Sequence, residues 1–174
     1  MILKGFKANS IKKCLNKTLS NRKVYVDNTK AKSLGILFNI DEVDDFEAFR
    51  KLGDYIRIRP NRVKIIAFSP TQTEKPNFWE VCFNPKDIGW KGVIKNIELQ
   101  TFLDTEFDVL VSYYSSEELG LKFLTGISKA NLKVGILQSD SRLNDLIIKT
   151  KVDEFQIFKK ELFKYLSILN KIEQ

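Results

Sequence analysis

The chain contains no histidine, and that absence excludes more chemistry than any motif in it suggests. Triads with a His base, HExxH zinc sites, His phosphorelays and most transition-metal centres all rely on imidazole, whose neutral form is available near pH 7. Acid-base work would fall to Asp, Glu, Lys, Tyr or a bound cofactor. Cysteine is scarce: Cys14 and Cys82 stand alone, without CxxC spacing, so no zinc site or disulfide framework is legible and a reducing cytoplasm is the expected compartment. Neither GxGxxG nor GxxxxGKS/T occurs, so the glycine loop that lets backbone amides approach a pyrophosphate is missing and nucleotide binding has no support. No stretch approaches the roughly 18 apolar residues of a membrane span, and the first seven residues lack the apolar core of a secretory signal. No catalytic residue, metal set or cofactor motif emerges.

What is present describes one globular domain. The 174 residues are 43% hydrophobic, with 13 Phe, and 29% charged, enough to build a core without metal or disulfide. The charge is unevenly placed. Residues 1–33 carry nine Lys or Arg against one acid, Asp27, while the other 141 residues carry 20 bases and 21 acids, so the whole net +7 sits on the first fifth of the chain. The sequence therefore divides into a basic N-terminal arm, residues 1–33, and an α/β domain, residues 34–174. Positive potential concentrated on one segment is a statement about partners, a polyanion or an acidic surface, and not about catalysis.

Within the arm, Ile11, Cys14, Leu15, Thr18 and Leu19 recur at helical spacing over residues 7–22, with Lys12, Lys13, Lys17 and Lys23 mostly off that stripe. The stripe is expected to pack on the body with the lysines in water. Together with Arg22 they are the candidate contacts for an anionic partner. Arg57, Arg59 and Arg62, with Lys64, form a second basic cluster around Pro60 that would join them if the fold brings the two together. Nothing marks base recognition: no RNP-type aromatics, KH loop or recognition-helix pattern is present.

The body alternates buried strands with helices. A short alternating piece surrounds Val24 and Val26, and the apolar run Leu34–Ile40 reads as a strand buried on both faces. Asp44 and Glu47 have capping-box spacing and predict a helix over 45–56, before a second strand over 62–69. Residues 70–77 read as a loop. Residues 78–83 read as a further strand, and the two Trp-containing pieces within 78–96 suggest a hairpin or antiparallel edge. A helix near 97–105, a strand over 107–112, a helix over 116–128 opened by Ser115 and Glu118, and a strand over 132–137 follow. Residues 143–148 are a short strand or a helical turn. The last segment, 154–172, spaces Phe155, Phe158, Leu162, Tyr165, Leu169 and Ile172 by threes and fours, which predicts a helix covering the sheet in preference to a dimer seam. The fold class is a single three-layer α/β domain with a mainly parallel, doubly wound, Rossmann-like sheet of about five strands and a basic N-terminal helix.

Such sheets bind ligands beyond the carboxyl ends of their strands. That rim contains Asn39 and Asp41, then Ser69, Thr71 and Thr73, then Ser112–Ser115, then Gln138, Ser139, Asp140 and Arg142. Asp41, Ser112, Tyr113, Ser139 and Asp140 are the candidate small-molecule ligands among them, set against the plainer reading that strand-end polar residues cap helices. A response-regulator receiver would need Asp after its third strand and Lys after its fifth. Asn84 or Ser112, and Leu137 or Gln138, occupy those places, so that chemistry fails.

The segments Ser33–Asn39, Phe83–Trp90 and Phe107–Tyr114 together resemble an uncharacterised family of flavobacterial proteins of about this length, a domain of unknown function. The resemblance spans essentially the whole chain. It implies a cytoplasmic single-domain protein and transfers no catalytic residue. The functional expectation is therefore a non-catalytic binding or scaffold protein using its basic N-terminal region, with a small-molecule-binding domain or enzyme on the sheet rim as the alternative.

Overall fold

A computed structural model describes residues 2–24, 27–71 and 82–173. Six parallel strands form one open sheet in the order β3-β2-β1-β4-β5-β6: β1 Leu34–Asn39, β2 Val63–Phe68, β3 Cys82–Phe83, β4 Val109–Tyr113, β5 Leu132–Gly135 and β6 Leu146–Ile147. The order reverses between β1 and β4, which is the doubly wound arrangement. Five helices cover it: α1 Ile2–Asn21, α2 Phe46–Tyr55, α3 Ile97–Asp104, α4 Leu119–Ile127 and α5 Phe155–Ile168.

The period of two along each strand decides which layer each residue enters. Leu34, Ile36 and Phe38 of β1, Val109, Val111 and Tyr113 of β4 and Val134 of β5 face α2 and α5. Phe38, Phe49, Tyr113, Phe155 and Phe158 form a connected set of ring contacts there, with centroids 4.6–6.2 Å apart. On the opposite face, Leu37, Ile66, Phe68 and Leu110 meet α1, α3 and α4. All six positions of β1 are buried, so its unbroken apolar run reflects burial from both sides.

The N-terminal helix is longer than the periodicity indicated and is docked. Ile11, Leu15 and Leu19 are buried against α4 and the Trp90–Gly92 turn. Gly126 of α4 makes this approach close, because a Cβ there would overlap Leu15 Cδ1.

Several local expectations are corrected. There is no antiparallel edge strand among the described residues: Cys82 and Phe83 pair parallel to Ala67 and Phe68, and the antiparallel element is a single bridge, Ile88 to Ile94. The connection from Phe68 to Cys82 is long enough for a parallel crossover, which needs about a dozen residues. Residues 78–81 of the expected strand, like Val26 and Thr73, lie outside the described residues. The cap of α2 is Asp45, whose Oδ1 accepts from Ala48 N at 2.8 Å, not Asp44. The amides of Glu42 and Val43 donate back to Asn39 O, and this turn delays the helix by one residue. Ser115 does not cap α4, which starts at Leu119, because the Glu42 carboxylate takes both its amide and its hydroxyl. Within 143–148 the short strand β6 forms at Leu146–Ile147, and α5 ends at Ile168, short of 172.

Candidate functional site

At the reversal point between β1 and β4, where an open sheet of this kind leaves a crevice, two consecutive carboxylates close the rim. Asp41 Oδ1 accepts from Ser69 Oγ at 2.7 Å, and its Oδ2 accepts from Thr71 N and Oγ1 at 3.2 and 2.7 Å, which ties the β1 loop to the β2 loop. Glu42 accepts from Ser115 N, Ser115 Oγ and Asn39 Nδ2, tying the same loop to β4. The acceptors that a ligand would use are thus engaged within the protein.

The other rim candidates are similarly occupied. Ser112 points into the α4 layer, where its hydroxyl and that of Tyr114 hydrogen-bond Thr125 Oγ1 at 3.1 and 2.7 Å. Tyr113 lies on the opposite face, fully buried, and donates from its hydroxyl to Val152 O at 2.8 Å. Burial raises the pKa of both tyrosines, so they act as neutral donors. Asp140 accepts from the amide, Nε and NH2 of Arg142, and this pairing holds its carboxyl below the usual range. Arg142 also donates to Asn16 Oδ1 of α1 at 3.0 Å. Ser139 hydrogen-bonds the Glu117 side chain. Asp41, Ser112, Tyr113 and the Ser139–Asp140 pair therefore occupy four separate environments.

The basic candidates also divide. Lys12, Lys13, Lys17 and Lys23 are exposed on or just beyond α1 and form no ion pair among the described residues. Arg22 differs, since its guanidinium makes a bidentate pair with Asp145, both bonds 2.6 Å. Arg57, at φ 64°, donates to Glu173 O and lies over the Phe163 ring, on the α2/α5 side of the sheet, with Arg59 and Arg62 exposed nearby. The α1 lysines and the Arg57–Arg62 cluster thus lie on opposite layers, because α1 packs with α4 and α3.

Three features were missed in the sequence. Lys133, in the second position of an otherwise apolar strand, is 0% exposed, and its Nζ donates to Thr125 O and Gly126 O at 2.8 and 3.0 Å. Burial, helped by the Arg22 charge and opposed by Asp145, lowers its pKa to about 7. A lysine inside an apolar run was the available signal. Glu42 is the second, and its role depends on a residue 73 positions away.

The third is a cleft of about 470 Å³ beyond the carboxyl ends of β2 and β3, between the first turns of α1 and the start of α4. Ala8, Ile11, Phe68, Ile88 and Leu119 supply apolar walls, and Lys4, Lys7 and Lys86 supply cations. Gly120 lets α4 approach this wall closely, since a Cβ there would come within 2.6 Å of Phe68 Cζ. Lys4, Lys7, Ala8 and Ile11 extend the stripe of α1 upstream at helical spacing, a regularity that the sequence does carry.

No helix among the described residues is long and apolar enough to cross a membrane. Comparison with curated proteins and with solved structures returns no match. A family model matches residues 7–169, nearly the whole chain, from the first turns of α1 through α5. The chain accordingly belongs to DUF6913, a family of unknown function.

Proposed function

We propose that this protein is a non-catalytic cytoplasmic binding protein that engages an anionic macromolecular partner through the solvent face of α1. The observation that carries this reading is the anchoring of α1. Ile11, Leu15 and Leu19 fix the helix on the body, so Lys12, Lys13 and Lys17 are presented from a rigid element with no carboxylate partner among the described residues. A pre-positioned row of unneutralised cations gives a partner Coulomb attraction and a favourable approach rate without the cost of ordering the segment first. The chain has two cysteines, Cys14 and Cys82, without CxxC spacing, which agrees with a reducing compartment.

The test is reversal of charge, because deleting the helix would uncover Leu124 and Gly126 of the core. The triple variant Lys12→Glu, Lys13→Glu, Lys17→Glu is expected to lose salt-sensitive retention on heparin and on duplex DNA while melting at the wild-type temperature. Undiminished retention would reject the proposal. The rim reading draws on one observation, the cleft at β2 and β3.

A further inference from the structure

We infer that the cleft between α1 and the carboxyl ends of β2 and β3 is a binding site for a small amphipathic anion, a hydrocarbon body carrying a single carboxylate-type head. The volume of about 470 Å³ lies within the roughly 300–1,000 Å³ typical of ligand pockets. Its walls divide chemically. Ala8, Ile11, Phe68, Ile88 and Leu119 offer a surface that gains from excluding water, whereas a free inorganic anion would gain nothing from it.

The head group is assigned by the charges at the rim. Lys7 Nζ donates to Pro85 O at 3.3 Å and has no carboxylate within ion-pair distance among the described residues. Partial burial, with Lys95 nearby, disfavours its charged form, so an arriving anion would relieve the strain on that ammonium. Lys4 lines the same rim, where Glu118 is the one acid among the described lining residues. Glu118 also supplies no side-chain cap to α4, so the positive end of that nine-residue helix opens toward the cleft and adds to the field of the lysines. Charge and shape together select an amphiphile, not a polyanion. The site is separate from the lysines proposed above to meet a macromolecule.

The probe is decanoate, followed by isothermal titration calorimetry on the full chain, with 1-decanol and acetate as neutral and tail-less controls. Wild-type protein is expected to bind decanoate saturably and acetate not at all. Lys4→Gln with Lys7→Gln should weaken decanoate by about tenfold or more, the loss expected for charge-assisted hydrogen bonds, and 1-decanol should bind wild-type about as weakly. Ala8→Phe, which fills the apolar wall, should remove saturable binding. The two lysine changes are at the surface and keep the test intact should Ala8→Phe fail to fold.

The Lys12→Glu, Lys13→Glu, Lys17→Glu variant should bind decanoate normally whatever it does on heparin, so the two readings stand or fall separately. Absence of saturable decanoate binding, or binding that survives Ala8→Phe in folded protein, overturns the site. Decanoate affinity unchanged by the double lysine variant, or matched by 1-decanol, overturns the anionic assignment.

Discussion

The carboxylate of Glu42 accepts both the backbone amide and the hydroxyl of Ser115, joining the loops after β1 and β4 at the point where the sheet reverses its winding. In many doubly wound sheets that crevice receives the ligand. Here Asp41 and Glu42 bond the neighbouring loops across it, and a cleft lies at the ends of β2 and β3.

That closure should be measurable as stability. Glu42→Ala removes a charged acceptor from three donors, and hydrogen bonds to charged groups contribute roughly 1.5–3 kcal/mol. We expect a loss of about 2 kcal/mol in urea unfolding with the slope unchanged. Ser115→Ala, which keeps the amide bond, should cost less than half of that. Equal costs would mean that the hydroxyl, not the amide, carries the latch.

Tyr113→Phe deletes only the hydroxyl that reaches Val152 O. The expected cost is about 1 kcal/mol, the net worth of one neutral hydrogen bond. Decanoate binding should not change, since Tyr113 lies on the opposite face of the sheet from the cleft. A calorimetric affinity shifted by this substitution would contradict that placement.

Lys133 makes stability depend on pH in a defined direction. Its folded pKa of about 7 lies below the ordinary 10.5, so between those values the unfolded chain binds more protons than the folded one. By linkage, the cost of charging Lys133 is fully present below pH 7 and is relieved as pH rises toward 10. At about 1.4 kcal/mol per unit, the upper bound is on the order of 5 kcal/mol, reduced by the two carbonyls of α4 that favour the ammonium. Relative to Lys133→Met, the wild-type unfolding free energy should therefore gain between pH 7 and pH 10. Parallel pH profiles for the two proteins would show that Lys133 stays charged throughout.

The seating of α1 can be tested at Gly126. Gly126→Ala drives a methyl into Leu15 Cδ1, and overpacking of this kind costs about 1–3 kcal/mol. Leu15→Ala alone should cost about 2–5 kcal/mol by opening a cavity. The double variant should be more stable than the sum predicts, because the new methyl then has room. Additive costs in a thermal-denaturation cycle would place the two residues out of contact.

Legibility in the sequence followed the range of the interactions. The strands around Ile36 and Leu110 were plain because burial on both faces demands a nearly continuous apolar run, and those around Ile66 and Val134 were legible from shorter apolar stretches interrupted by Lys64 and Lys133. Helix starts were less so. Asp44 and Ser115 had sound capping spacing, yet Asp45 and Glu42 displaced them through a turn and a bond to a distant loop. The rim residues were harder to read, since whether Asp41 meets a ligand or Ser69 depends on which loop lies beside it.

By itself, then, the order of residues determined the layers, the parallel strands and the amphipathic character of the first helix, because periodicity and apolar length are local quantities that any window of chain expresses. Only the folded molecule decided that β3 runs parallel, that Arg22 is consumed by Asp145 while Lys12, Lys13 and Lys17 have no ion-pair partner among the described residues, and that Lys4 and Lys7 meet Phe68 across a cleft. Those outcomes depend on which distant segments become neighbours. Hydrogen bonds and charges act over a few ångströms in space, whatever their separation along the chain.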